Sequence, residues 1–197
     1  MSADRETLSV YSAKAGDYAD LVANSTDTPQ LTAFLNAIPP GGRVLDLGCG
    51  PGNSAGRFAK AGLKVDATDA SAEMVALASK RPGVVAWMAT FDEIEGHQIY
   101  DGIWANFSLL HADRADMPTH LAAVRSALKP GGVFHIGMKT GEGAERDGIG
   151  RFYTYYTADE LEGLLRAADF EPFFSRHGVE EGLAGTMDPW ITWLSRG

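Results

Sequence analysis

Short apolar runs rich in β-branched residues alternate along this chain with longer stretches whose apolar positions recur at helical spacing. The alternation predicts an α/β sheet. Strands are expected at "RVLDL" (Arg43 to Leu47), "KVDATD" (Lys64 to Asp69), "GVVAWM", "YDGIWAN" and "GVFHIGM". Helices are expected from about Ser9 to Val22, Pro29 to Ala37, Ser54 to Ala61, Ala72 to Lys80 and Met117 to Leu128, with Ser71 capping the fourth of these. "IPPGG" (Ile38 to Gly42) separates the N-terminal helices from the first strand, and "KPGG" after Leu128 reads as a turn into the fifth. The tail predicts a helix in "TADELEGLLRAA" with Thr157 as its N-cap, then "FEPFFSRH" and "TMDPWITWLS" as two closing strands at the sheet edge.

The first strand runs into "DLGCGPG", where Gly48, Gly50 and Gly52 alternate with other residues. In a parallel α/β sheet, ligands lie beyond the carboxyl ends of the strands, and the first βα turn brings backbone close to them. A dinucleotide fingerprint would need a third glycine where Asn53 stands, and a P-loop would end Gly-Lys-Ser/Thr where this loop ends Gly-Asn-Ser. Asp69, at the end of the second strand, is placed to accept both hydroxyls of an adenosine ribose, because adjacent strand ends are only about 5 Å apart. The ligand reads as an adenosine with no phosphate that must be held.

Composition narrows the partners. The chain has 197 residues, 45% of them hydrophobic, enough for one domain with a substantial core. A net charge of -9 argues against general nucleic-acid or anionic-membrane binding and toward small molecules. No apolar run approaches the roughly 20 residues that span a bilayer, and "MSADRETLS" lacks the apolar segment of a signal peptide. A cytoplasmic protein is expected, consistent with a single cysteine, Cys49. The histidines lack metal-ligand spacing, and no metal is assigned.

"VLDLGCGPG" and "VDATDAS", with "YDGIWANFSLLH", "ALKPGGVFHIGM" and "GRFYTYYTADEL", resemble the class I S-adenosylmethionine-dependent methyltransferases, in particular small bacterial ones similar to tellurite-resistance methyltransferases. The resemblance implies a Rossmann-like, seven-stranded, mostly parallel sheet with an antiparallel last strand and helices on both faces. It implies S-adenosyl-L-methionine as cofactor, S-adenosyl-L-homocysteine as product, and a small-molecule acceptor. The expected organisation is one domain: residues 1–40 as a helical cap, and 41–197 as a cofactor-binding core with substrate-side insertions around 139–156.

The family pattern makes Asp46 organise the glycine loop and hold the methionine amino group, lays Gly48, Cys49 and Gly50 along the cofactor by main chain, and gives Asp69 the ribose and Ala70 the adenine flank. Where many relatives carry an Asp for the adenine amino group, this chain has Thr90 followed by Phe91, so main chain or ring stacking replaces that contact. Ala105 and Asn106 would line the methionine arm. Tyr11 and Tyr18, a helical face apart, belong to a segment that closes over the cofactor in relatives; a purely anchoring role on an amphipathic helix is the alternative. His111 is the residue placed to act as a base, should the acceptor arrive protonated. Phe152, Tyr153, Tyr155 and Tyr156, with Arg151 and Lys139, surround an acceptor pocket suited to an apolar or anionic molecule, Arg151, Tyr153 and Tyr155 foremost. "KTGEGAERDGIG" (Lys139 to Gly150) reads as a mobile lid without an apolar anchor. A nicotinamide-dependent oxidoreductase and a non-catalytic module binding the adenosyl cofactor are the competing functions. Oligomeric state is open.

Overall fold

A computed structural model describes residues 4–23 and 28–197. Asp4 accepts the Thr7 amide to cap α1 (Arg5–Ala13), and the chain breaks at Lys14 before α2 (Ala15–Ala23). The single helix expected over Ser9 to Val22 is therefore two, beginning a turn earlier at a cap that a polar N-terminus concealed. Thr28 caps α3 (Pro29–Ala37), with Pro29 in the first turn, where its missing N–H costs nothing.

The core elements alternate as expected: β1 (Arg43–Leu47), α4 (Asn53–Lys60), β2 (Lys64–Asp69), α5 (Ala72–Ala78), β3 (Val84–Met88), β4 (Tyr100–Asn106), α6 (Met117–Ala127) and β5 (Leu128–Lys139). A short hairpin of β6 (Ala144–Arg146) and β7 (Phe152–Thr154) follows, then α7 (Ala158–Ala167), β8 (Glu171–Glu181) and β9 (Met187–Arg196). One seven-stranded sheet runs in the order β3-β2-β1-β4-β5-β9-β8. The first five strands are parallel, and β9 inserts antiparallel between β5 and β8. "KPGG" lies inside β5 instead of preceding it. The register jumps there from Tyr100↔Leu128 to Gly102↔Val133, and Gly131 donates its amide to Gly197, so the expected turn is a bulge paired to the C-terminus.

Strand alternation sends side chains to both faces. Leu45 and Leu47 of β1 join Ile103, Phe134 and Ile136 under α6 and α7, where Leu121, Val124, Leu161 and Leu165 close the layer. Val44, Trp104 and Val133 point the other way, onto Phe34 of α3 and Phe58 of α4. Phe34, Phe58 and Trp104 meet with centroids 5.1–5.6 Å apart. That aromatic contact ties α3 into the core, while α1 and α2 lie over the carboxyl ends of the strands. Truncating Phe34→Ala, at a site with no solvent exposure, is expected to destabilise the fold by about 3–5 kcal/mol, read as a lower urea midpoint at unchanged slope.

Candidate active site

The turn after β1 is built from residues with left-handed backbone. Gly48, Gly50 and Gly52 have φ of 70°, 52° and 75°, values that favour glycine. At Gly48 a side chain would also collide, since a Cβ there would lie 2.3 Å from that of Ser108. The amides of Gly48 and Cys49 both donate to the Thr68 carbonyl at 2.8 Å, and Ser108 Oγ donates to the Leu47 carbonyl at 2.6 Å. The first turn is thereby fastened to the ends of β2 and β4.

Two carboxylates flank it. Asp69 accepts the Gly50 amide on Oδ2 and the Ser71 amide on Oδ1, each at 2.9 Å. Burial raises its pKa against those hydrogen bonds. The Ala70 amide bonds the carboxylate as well, and Asp69 lines the open cleft. Asp46 is deeper, 3% exposed. It accepts the Ala55 amide at 2.9 Å in the first turn of α4, and burial pushes its pKa up to about 7.

The cleft is lined by Tyr11, Tyr18, Gly48, Gly50, Asp69, Ala70, Thr90, Phe91, Asn106 and His111, all singled out by the sequence. Three expected cofactor residues do not line it. Asp46 caps α4 from beneath the turn, Cys49 turns its buried thiol toward the Gly50 carbonyl, and Ala105 is wholly inside the core. Thr90 is half of a capping box: its amide and hydroxyl both donate to the Glu93 carboxylate, and its hydroxyl oxygen faces the Glu93 amide in return.

Sequence reasoning missed the roof and the back wall. Asp4, Thr7 and Leu8 of α1 cover the cleft beside Tyr11, and Met74, Phe107 and Ser108 line it from below. Phe107 adopts φ 55°, a conformation that costs a bulky residue about 1–3 kcal/mol and concentrates at functional sites. No motif marks that position. Only its place, just past a strand's carboxyl end, could have flagged it.

His111 has both ring nitrogens engaged. The Phe152 carbonyl can only accept, so Nδ1 donates to it at 2.6 Å, and Nε2 is left to accept the Tyr11 hydroxyl at 3.0 Å. Arg151 Nη1 donates to the same Tyr11 oxygen at 3.0 Å and pairs with Asp147 at 2.7 Å. Burial lowers the His111 pKa to about 4. Tyr11 also meets Tyr18 edge-on at 5.4 Å.

The segment expected as an unanchored lid is instead the β6–β7 hairpin, fixed to α1. Arg146 holds both carboxylate oxygens of Asp4 at 2.8 and 2.9 Å, and the Phe152 amide donates to Thr7 Oγ1 at 2.8 Å. A second cavity beside the cleft shares Tyr11, Tyr18 and Phe107 with it and is also lined by Lys139, Arg151, Tyr153 and Trp190. Tyr155 is not among its walls. It stacks on the far side of Tyr153, and its carbonyl accepts from Arg114. Phe152 and Tyr156 also lie outside; the Tyr156 ring is fully buried under Arg114. Among the described residues there is no cluster fit to hold a metal ion and no helix long and apolar enough to cross a membrane.

Comparison with known proteins agrees with this geometry. A family described as a methyltransferase domain matches residues 44–132. The malonyl-[acyl-carrier protein] O-methyltransferase of Enterobacter lignolyticus (strain SCF1) is 28% identical over 154 residues, 73% of this chain and 53% of that protein. The chain spans about half the length of the curated relatives it matches. The crystal structure of Burkholderia thailandensis 1,6-didemethyltoxoflavin-N1-methyltransferase, with bound 1,6-didemethyltoxoflavin and S-adenosylhomocysteine, superposes with a TM-score of 0.78 at 27% identity, covering 97% of this chain and 87% of that one. The [4+2]-cyclase SpnF shares the fold alone, at 19% identity and a TM-score of 0.69 over 94% of this chain and 95% of its own.

A depressed histidine pKa ties stability to pH. The folded state resists protonating His111 until about pH 4, whereas the unfolded chain takes that proton near 6.5. The wild type is therefore expected to lose stability relative to His111→Gln as pH falls from 6.5 toward 4. Urea unfolding of both proteins across that window checks this, and a pH-independent difference would contradict a half-buried His111 held neutral.

Proposed function

We propose, from the premise that the chain belongs to the class I S-adenosylmethionine-dependent methyltransferases, that it transfers a methyl group from S-adenosyl-L-methionine to a small-molecule acceptor held in the second cavity. The observation that carries the reading is Asp69. Its carboxylate is fixed by the Gly50, Ala70 and Ser71 amides and still lines the open cleft, where a charged acceptor can take the hydroxyls of a ribose. Ala70, Thr90 and Phe91 then flank the adenine, and Gly48, Gly50 and Asn106 run along the methionine arm. Asp46 acts one step removed, by fixing the turn and the start of α4.

The sulfonium of the bound donor supplies an activated methyl, so the protein's task is to align an acceptor and keep water out. Tyr11 and Tyr18 stand where the two cavities meet and close the cleft with α1. Because the same fold carries a cyclase, the assignment rests on the site and not on the sheet. The glycine spacing disfavours a nicotinamide. The Burkholderia relative is a methyltransferase of 1,6-didemethyltoxoflavin, which supports a small-molecule acceptor, as does the net charge of -9 against nucleic acid and anionic membranes. We read the whole chain as one domain in which α1 and α2 form the cap, and place it in the cytoplasm on its single, unpaired cysteine.

Calorimetric titration with S-adenosyl-L-homocysteine is expected to show one site per chain, with affinity falling by about 1.5–3 kcal/mol in Asp69→Ala as the charge-assisted contacts disappear. Unchanged affinity in the variant would remove the ribose from Asp69. Absence of binding to the wild type would overturn the reading.

A further inference from the structure

The second cavity states what it can accept through the groups it leaves free. It shares Tyr11, Tyr18 and Phe107 with the cleft, so a molecule seated in it lies next to the methyl-donor site. One wall is aromatic and firmly placed. Trp190 lies across Gly178, where an added Cβ would come within 2.6 Å of its ring, and Phe107 meets it at 6.3 Å and 82°. Such surfaces favour a flat, unsaturated molecule.

The charges narrow the class. Lys139 Nζ lies 2.5 Å from Asp188, with the Tyr153 ring 4.0 Å away. Arg151 gives Nε and Nη2 to Asp147 and Nη1 to Tyr11. Each cation is already neutralised by a carboxylate, which weakens its pull on an anionic substrate. Glu180 and Glu181, exposed at the end of β8, also line the cavity rim, and among the described residues neither has an ion-pair partner. Unpaired charge in this cavity is therefore negative, contrary to the anionic acceptor that Arg151 and Lys139 suggest in sequence. The one imidazole at the cavity mouth is not free either: His111 spends Nδ1 on the Phe152 carbonyl and Nε2 on the Tyr11 hydroxyl, and a carboxylate is too weak a base to strip an ammonium, phenol or thiol.

Resting on the methyl-donor reading above, we propose that the acceptor is an uncharged aromatic nitrogen heterocycle, methylated on a ring nitrogen that carries no proton. The nitrogen lone pair forms the new C–N bond as the C–S bond breaks. The bonding pair returns to sulfur as a thioether, and the positive charge passes to the ring. No proton is released, so no base is needed, and the cationic product sits beside Glu180 and Glu181. Alkylamines, phenols and thiols fit poorly because they arrive protonated at neutral pH and need a base. Carboxylates are ready nucleophiles but find only cations already neutralised.

The probes are N-methylquinolinium and 2-naphthoate, bicyclic ions of similar size and opposite charge, titrated at low salt into protein saturated with S-adenosyl-L-homocysteine. The cation is expected to bind at least tenfold tighter than the anion, and the ratio to fall below threefold in the Glu180→Gln/Glu181→Gln double variant. Equal or tighter binding of 2-naphthoate, binding of neither ion, or a preference that survives in the double variant would overturn the proposal while leaving the donor site standing. Failure to saturate the wild type with S-adenosyl-L-homocysteine would overturn the donor reading and this proposal with it.

Discussion

The close packing of Gly48 against Ser108 fixes the geometry of everything at the open end of the sheet. With no Cβ at Gly48, the β1–α4 turn can lie against the segment after β4, and its amides reach the Thr68 carbonyl at the end of β2. Three strand ends are thereby locked together. The same turn delivers the Gly50 amide to Asp69 and sets α4 running from the carboxylate of Asp46. Asp69 is thus oriented by the backbone of a neighbouring turn and not by its own strand alone, and its carboxylate is held in a fixed orientation at the cleft.

Over this floor, α1 is held by polar contacts instead of a continuous apolar seam. Arg146 to Asp4, Phe152 to Thr7, and the run from Asp147 through Arg151 and Tyr11 to His111 fasten it to the β6–β7 hairpin. The inner members of this run, Arg151, Asp147 and Tyr11, satisfy one another away from most solvent and so specify a single arrangement more than they add stability. The same run removes Arg151 and His111 from chemistry they would otherwise offer, so the character of the second cavity is set by what these pairings leave over.

Much of this was legible in the sequence because local chemistry and tertiary demand coincide. "RVLDL" and "KVDATD" are strands of the extent expected, Ser71 and Thr157 cap their helices, and Asp69 reaches the cleft as the strand spacing requires. The misreadings share one origin, which is dependence on partners distant in the chain. Asp46 faces the start of α4 because strand alternation turns it away from the cleft, and Arg151 reads as a free cation until Asp147 folds back onto it. The glycine-rich stretch before Arg151 reads as a loose lid because its anchor, Asp4, is more than a hundred residues away. Lys14 breaks the first helix without a proline or glycine of its own, and Phe107 takes a left-handed conformation that no bulky residue announces.

The central claim is that the cleft between the glycine turn and α1 holds an S-adenosyl donor whose sulfur faces the second cavity. A crystal structure of the protein grown with S-adenosyl-L-homocysteine tests it most directly. The account predicts ribose hydroxyls on Asp69, adenine between Ala70 and Phe91, and the sulfur near Tyr11 at the mouth of the second cavity. A nucleoside bound elsewhere, or a sulfur walled off from that cavity, would contradict it.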